Sequence, residues 1–168
     1  MIKWDLYDDK FNLINEVVNE DEEINDGKYH CSINTYIINS DKKLLLVKRT
    51  MNYNFRYPGF WNSINGNVEN GKNSVETVIE SIDKKIGINI KTFEITSIDV
   101  QLRDPYHYIY ETFIIKKNIC LDDIVFKDKT CTQAKWVDLK ELYNMISNGE
   151  IAWVMIPRIE KYVIPYLK

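Results

Sequence analysis

Cysteine and histidine, which often carry metal or nucleophilic chemistry, are scarce in this sequence of 168 residues. The three cysteines, Cys31, Cys120 and Cys131, are odd in number and lack C-x-x-C spacing, so neither a disulfide framework nor a zinc site is indicated. We expect reduced and mostly buried thiols. The spacing of the two histidines, His30 and His107, suggests no Ser-His-Asp or Cys-His arrangement.

The chain also lacks a strong charge of either sign and a long apolar run. Its 22 basic and 25 acidic residues give a net charge of −3, so no global field would recruit a nucleic acid polymer or an anionic membrane. No window approaches the ~20 consecutive apolar residues of a membrane span, and residues 1–10 contain no apolar run after a basic segment. We therefore expect a soluble, cytoplasmic protein whose charged sites are local.

The order of the predicted elements indicates one α/β domain over residues 1–168. Alternating residues predict an opening hairpin at 2–18 and strands at 30–39, 44–48, 93–102, 107–116 and 134–137. C-terminal helices are predicted within 138–167, the first capped by Asp138 and the last beginning at Pro157 and ending near Pro165.

The most informative stretch is residues 66–88, a glycine-containing loop that leads into an amphipathic helix. Its apolar residues recur at helical spacing and predict one buried face: Val75, Val78, Ile79, Ile82 and Ile86. Asn73 or Ser74 is a suitable N-cap, and Gly87 stands where a left-handed C-terminal residue is expected.

This stretch resembles the Nudix box, G-x5-E-x7-R-E-U-x-E-E-x-G-U with U aliphatic. Gly66 falls on the first glycine, Ile82 on the inner aliphatic position and Gly87 on the last glycine. The sequence YPGFW at residues 57–61 resembles the approach to the box, and KWVDLKEL at residues 135–142 resembles the last strand and helix of many Nudix domains. The resemblance implies a Nudix-like α/β/α sandwich with a mixed β-sheet.

The residues that carry chemistry in the family differ here. In Nudix hydrolases the box glutamates hold divalent cations that bridge a substrate diphosphate and help to activate water. Those positions hold Lys72, Ser81, Lys84 and Lys85, and the family's arginine position holds Glu80. At ~100° per residue, Ser81, Lys84 and Lys85 share the flank of the family's ligands, and the same spacing predicts that Glu80 lies on the opposite flank and points away from the cleft.

These differences predict a catalytically impaired Nudix protein that binds a nucleotide or another small anionic molecule containing a diphosphate. Ammonium groups can bind a diphosphate without activating water, and aromatic residues before the box could stack on a ring. The candidate ligand-binding residues are Lys72, Ser81, Lys84, Lys85, Phe55, Tyr57 and Trp61. The alternative is that these lysines are exposed helix and loop residues that bind no ligand. The sequence itself requires no cofactor.

A hydrolase of nucleoside-diphosphate-linked compounds is the alternative, with Mg²⁺ or Mn²⁺ held by non-standard ligands. The candidate metal ligands are Glu69, Glu80, Glu111 and His30. Three of these have an explanation without a metal. Glu80 could belong to a solvated acidic edge of the helix, Glu111 could be an exposed strand glutamate, and His30 could be a structural histidine. A protein-interaction module is a third possibility.

Isopentenyl-diphosphate isomerases form a nearby branch that the start WDLYD at residues 4–8 resembles. Those enzymes need a cysteine and a histidine in an Asn-Ser-x-Cys-x-His pattern, and here Asn65 and Asn67 occupy both positions. Isomerase activity is therefore disfavoured.

Overall fold

A ten-residue strand, β3 (Tyr29–Ile38), is the centre of a nine-stranded mixed sheet in the computed structural model, which describes residues 1–52 and 56–168. The other strands are β1 (Lys3–Tyr7), β2 (Leu13–Asn19), β4 (Leu44–Arg49), β5 (Trp61–Asn62), β6 (Ile64–Asn67), β7 (Ile95–Arg103), β8 (Tyr108–Lys116) and β9 (Cys131–Val137). All ten residues of β3 are buried, as expected for a strand covered on both faces.

Strand β3 pairs in parallel with β8 from His30 to Ile38 and antiparallel with β1 and β6. Strands β1 and β2 form the opening hairpin, β7 pairs with β8, and β4 pairs with β5 and β9, all antiparallel. Strands β3 and β4 are consecutive but meet only at Ile38 and Leu44, because β6 and β8 occupy the edges of β3. The predicted mixed sheet is confirmed.

Helices cover both faces of this sheet. Side chains alternate along β4, so this strand contributes to the core on each face. Leu45 and Val47 pack with helix α1 (Ser74–Ile86) in one core. Leu44 and Leu46 pack with helix α2 (Leu139–Ser147) and the C-terminal helix in the other. The predicted α/β/α arrangement is confirmed.

Both ends of α1 are fixed by local chemistry. The Asn73 side chain accepts a hydrogen bond from the Glu76 N–H at 2.9 Å, and the Glu76 carboxylate accepts one from the Asn73 N–H at 2.9 Å, which is a capping box. Gly87 follows the helix at φ 71°, where a residue with a Cβ is strained. The helix therefore begins after Asn73 and ends before Gly87.

The C-terminal helix is longer than predicted and runs through Pro165. It comprises α3 (Ile156–Arg158), a π-helical turn (Ile159–Val163) and α4 (Ile164–Leu167). The Ile164 N–H bonds to the Ile159 carbonyl, so the helix widens just before proline, which has no N–H to donate. No helix in the described part of the chain is long and apolar enough to cross a membrane.

Candidate functional site between β6 and α1

The backbone of β6 lies directly against α1 at Gly66. A Cβ atom on Gly66 would lie 2.5 Å from Ser81 Oγ and 3.5 Å from Thr77 Cγ2. A residue with a Cβ atom here would force the Ser81 hydroxyl to move. The first glycine of the box thus sets the distance between the strand and the helix that form the cleft.

A chain of ion pairs lines the cleft beside this contact. Lys72 Nζ lies 3.1 Å from Glu69 Oε2 and 2.7 Å from Glu80 Oε2, and Lys84 Nζ lies 3.5 Å from the same Glu80 oxygen. The hydrogen bond from Lys72 lowers the pKa of Glu80, and the bonds to Glu80 and Glu69 raise the pKa of Lys72. Both groups therefore remain charged at neutral pH.

This arrangement corrects the predicted orientation of Glu80. Glu80 lines the same small pocket as Lys72, Ser81 and Lys84 and does not point away from it. The physical reason is that Glu80 and Lys84 are four residues apart and are neighbours on the helix surface.

The residues of the cleft do not fit a divalent cation of the kind that Nudix hydrolases use. Two carboxylates of the small pocket, Glu69 and Glu80, both bind the ammonium group of Lys72. Within residues 1–52 and 56–168, no three His, Cys, Asp or Glu side chains stand together as a metal site. A positive side chain thus occupies the place between carboxylates that a cation would need.

A larger cavity of about 270 Å³ adjoins the ion pairs. Its walls come from the N-terminus, β1, β6, α1 and three loops and include Ile2, Trp4, Glu20, Asn65, Gly66, Asn67, Glu69, Ser81, Lys84, Lys85 and Asp128. Lys85 Nζ donates to Thr130 Oγ1 at 3.1 Å and lies 3.6 Å from Asp128 Oδ2. The cavity therefore offers an aromatic ring, amides, a hydroxyl and charges of both signs.

Asp128 was not predicted from the sequence, because it lies in the connection between β8 and β9, which has no clear periodicity. The Lys84 carbonyl accepts hydrogen bonds from the Asp128 N–H at 3.0 Å and from the Lys127 N–H at 3.1 Å. These two bonds fix the loop on the end of α1. No local sequence pattern signals that contact.

His30 and Glu111 do not come together as ligands. His30 pairs with Tyr108 and Ile33 pairs with Glu111, so the two side chains project from opposite faces of the sheet. Glu111 accepts a hydrogen bond from Ser97 Oγ at 2.9 Å. His30 stacks on Trp4 with ring centroids 4.1 Å apart, and burial lowers its pKa to about 4.

Of the predicted aromatic residues, Trp61 is part of the core on the α2 side. Its side chain is buried, and Lys135 Nζ lies 4.8 Å from its ring centroid, so its face is covered by protein. Tyr57 contacts Trp153 edge to face at 6.3 Å. Phe55 lies outside the described residues. Among the residues that the structure describes, the aromatic side chain that lines the cavity is Trp4, on β1.

Comparisons with known proteins bear on the fold. No family model matches the chain, and no curated protein matches it in sequence. Among solved structures, the Deinococcus radiodurans protein DR0079 is similar over 96% of this chain and 99% of its own, with a TM-score of 0.76 and 13% identity.

Two further similar structures are Nudix proteins by name. The NUDIX domain of Shewanella oneidensis NrtR, complexed with ADP ribose, matches 79% of this chain and 84% of its own, with a TM-score of 0.61 and 16% identity. A NUDIX hydrolase from Nitrosomonas europaea matches 80% of this chain and 88% of its own, with a TM-score of 0.59 and 16% identity. At these identities the likeness concerns the fold.

Proposed function

Because the chain has the fold of the Nudix proteins, we propose that it binds a nucleotide or another diphosphate-containing small molecule in the cavity between β6 and α1, without metal-dependent hydrolysis. The observation that carries this proposal is the Lys72 ammonium group held between Glu69 and Glu80. A cation that is part of the protein can neutralise phosphate charge, but it cannot lower the pKa of a bound water as a metal does.

Lys84 is the cation best placed to reach a ligand. It lines both the small pocket and the larger cavity, its side chain is 55% exposed, and its contact with Glu80 is 3.5 Å long. An exposed ion pair of this kind is worth at most about 1 kcal/mol, so a phosphoryl group can replace it.

The other residues that line the cavity suit a ligand that carries further polar groups beside its diphosphate. Glu20, Glu69 and Asp128 oppose the charges of Lys84 and Lys85, while Asn65, Asn67 and Ser81 supply neutral donors and acceptors. A ligand with a phosphate and a polar ring, such as a nucleotide, satisfies this mixture better than inorganic phosphate, because hydrogen-bonding groups left without partners weaken binding.

The test is a titration of ADP-ribose, nucleoside triphosphates and isopentenyl diphosphate, with and without Mg²⁺, followed by calorimetry and by phosphate release. We expect binding without Mg²⁺, no turnover, and weaker binding for Lys84→Glu. Lys140→Glu, an equal charge change on the exposed surface of α2, is the matched control.

Turnover that requires Mg²⁺ and is lost in Glu80→Gln would overturn the proposal in favour of a hydrolase. No binding of any of these compounds would overturn it in favour of a protein-interaction module. Equal weakening by Lys84→Glu and Lys140→Glu would show that the ligand responds to net charge and does not occupy this cavity.

A further inference from the structure

The chain contains three Asn-Gly pairs, at residues 65–66, 70–71 and 148–149. Asparagine is a thermolabile residue, and a following glycine makes it more so, because glycine has no side chain to hinder attack by its own nitrogen on the asparagine Cγ. The attack releases ammonia, and water then completes the conversion of the amide to an acid. Each pair is therefore a candidate site of spontaneous modification, and its surroundings in the fold determine the rate.

Two of these pairs are held by secondary structure. Residues 65–66 belong to β6 and are paired with β3. Asn148 caps the end of α2, and the Gly149 N–H donates a hydrogen bond to the Ile146 carbonyl at 3.1 Å. Residues 70–71 are different, because a distant segment of the chain holds them.

Asn70 and Gly71 form the middle of a turn at residues 69–72, which we call the box turn. Both residues are exposed, and the Lys72 N–H closes the turn with a hydrogen bond to the Glu69 carbonyl at 3.0 Å. A Cβ atom on Gly71 would meet no atom of the described residues within 4 Å. Packing therefore does not shield this pair from water.

The Asp5 carboxylate, on β1, binds both groups that would react. Its Oδ1 accepts a hydrogen bond from Asn70 Nδ2 at 2.7 Å, and its Oδ2 accepts one from the Gly71 N–H at 2.8 Å. The Asn70 N–H also donates to the Lys3 carbonyl at 2.8 Å. The leaving amide and the attacking nitrogen are thus bound side by side to one anion from a segment 65 residues earlier.

Deamidation of this pair makes two demands on its groups. The Gly71 nitrogen loses its proton and forms a bond to Asn70 Cγ, while the Cγ–Nδ2 bond breaks and Nδ2 leaves as ammonia with that proton. Water then adds to either carbonyl of the resulting succinimide ring and yields aspartate or isoaspartate. The attack therefore needs negative charge on the Gly71 nitrogen and an Asn70 side chain that is free to turn towards it.

Asp5 opposes both demands. Negative charge that develops on the Gly71 nitrogen would lie 2.8 Å from an oxygen of the Asp5 carboxylate, and like charges at this distance repel each other. Rotation of the Asn70 side chain would also break a charge-assisted hydrogen bond. A carboxylate is too weak a base to offset these effects by removing a proton from a peptide nitrogen.

We propose that Asn70 and Gly71 form a self-modification site at which Asp5 suppresses deamidation while β1 is docked on the box turn. Deamidation replaces Asn70 Nδ2 by an oxygen, so two carboxylates then face each other and the docking contact is lost. The reaction is irreversible, and the box turn therefore keeps a lasting record of each time that β1 has left it for long enough to react.

The site is coupled to the cavity beside α1 but does not depend on the ligand proposed there. The N-terminus and β1 supply Ile2 and Trp4 to the wall of that cavity, and the box turn supplies Glu69. Loss of the contact through Asp5 would therefore separate two walls of the cavity.

The experiment incubates the protein at pH 8 and follows each Asn-Gly pair by peptide mass spectrometry, which detects the gain in mass when an amide becomes an acid. Asp5→Asn keeps the shape of the side chain but removes its charge. We expect Asn70 to react about tenfold faster in this variant, which corresponds to the loss of about one charge-assisted hydrogen bond. Residues 148–149 are the internal control and should keep their rate within about twofold, because distant sites behave independently.

Asp9→Asn is the matched control variant, because Asp9 is exposed in the turn of the same hairpin and the substitution removes an equal charge. It should leave the rate at Asn70 within about twofold of that of the unmodified protein. If Asp5→Asn does not fold, the unmodified chain unfolded in urea replaces it, since unfolding also removes the contact. Asn70 should then react faster than in the folded protein.

Asn70→Asp tests the consequence of the reaction. Loss of docking should speed the hydrogen exchange of the Gly71 N–H by about tenfold, after correction for the new side chain. Asn148→Asp makes the same chemical change at the internal control and should leave this exchange unaltered.

An unchanged rate at Asn70 in Asp5→Asn would overturn the inference, and so would a slower one, which would identify Asp5 as a base that promotes the reaction. Equal acceleration at Asn70 and Asn148 would also overturn it, because a general loss of stability would then be the cause. Unaltered exchange of the Gly71 N–H in Asn70→Asp would refute the loss of docking. Acceleration confined to Asn70 supports the inference, whatever the cavity binds.

Discussion

Ser81 Oγ stands 2.5 Å from the point where a Cβ atom on Gly66 would lie. At Gly66, β6 thus approaches α1 through a contact between a backbone and one small side chain. Because this contact sets the width of the cleft, the two residues must be coupled energetically.

We expect Gly66→Ala to lower the free energy of unfolding by about 1–3 kcal/mol, because the added methyl group overlaps Ser81 Oγ. In Ser81→Ala the nearest remaining atoms are Thr77 Cγ2 at 3.5 Å and Ser81 Cβ at 3.7 Å, which are ordinary contacts. The double variant should therefore be more stable than the sum of the two single effects. Urea unfolding of the four proteins checks this, and strict additivity would refute the coupling.

The second prediction concerns the ion pairs of the cleft. Removing the ammonium group in Lys72→Ala leaves Glu69 and Glu80 facing each other, and we expect this variant to bind Mn²⁺ more tightly than the unmodified protein. The loss of stability should be under about 1 kcal/mol, since these side chains are partly exposed and screened by solvent.

Electron paramagnetic resonance of free Mn²⁺ measures this binding. Lys84→Ala is the matched control, because it removes a cation from the same cleft but leaves Lys72 between the carboxylates. Equal Mn²⁺ binding by the two variants would show that Lys72 does not occupy the position of the metal.

The third prediction follows from the buried histidine. His30 is 1% exposed, and burial lowers its pKa from 6.5 to about 4, so the folded state binds fewer protons than the unfolded state between these values. Stability should therefore be unaffected by this group above pH 6.5 and should fall as the pH decreases toward 4, by about 3 kcal/mol in total.

Guanidinium unfolding between pH 4 and 8 measures this dependence. His30→Phe retains an aromatic ring to stack on Trp4 but has no proton to bind, so its stability should change less over this range. A variant with the same pH dependence as the unmodified protein would assign the effect to other groups.

The fourth prediction concerns the thiols. Cys120 is exposed, whereas Cys31 and Cys131 are buried, and burial raises the pKa of Cys31 to about 11. A thiol reagent at pH 8 should label one site rapidly and the other two only on unfolding, because thiolates are the reactive form. Mass spectrometry of the labelled peptides identifies the site, and Cys120→Ser should abolish the rapid phase.

Much of α1 could be predicted from the sequence because its signals are local. Asn73, Glu76 and Gly87 determine its ends through contacts within four residues, and the apolar stripe determines its buried face. The position of Glu80 was also readable in principle, since an i, i+4 Glu–Lys pair places it beside Lys84.

The environment of the site could not be predicted, because it depends on contacts between distant segments. Trp4 reaches the cavity through β1, and Asp5 on the same strand reaches Gly71 in the box turn. Trp61 was expected to face a ligand, but Lys135 and the core on the α2 side cover its ring. Periodicity gives the face of an element and not the element that packs against it.

The parallel pairing of β3 with β8 also has a consequence for the synthesis of the chain. His30 pairs with Tyr108, 78 residues later, and β3 is buried along all ten of its residues. During translation this strand, which is buried in the folded protein, stays without its long partner until residues beyond 116 have left the ribosome. We therefore expect the interval in which the nascent chain is most prone to aggregate to end only when β8 has emerged. Faster elongation between the two strands would shorten this interval.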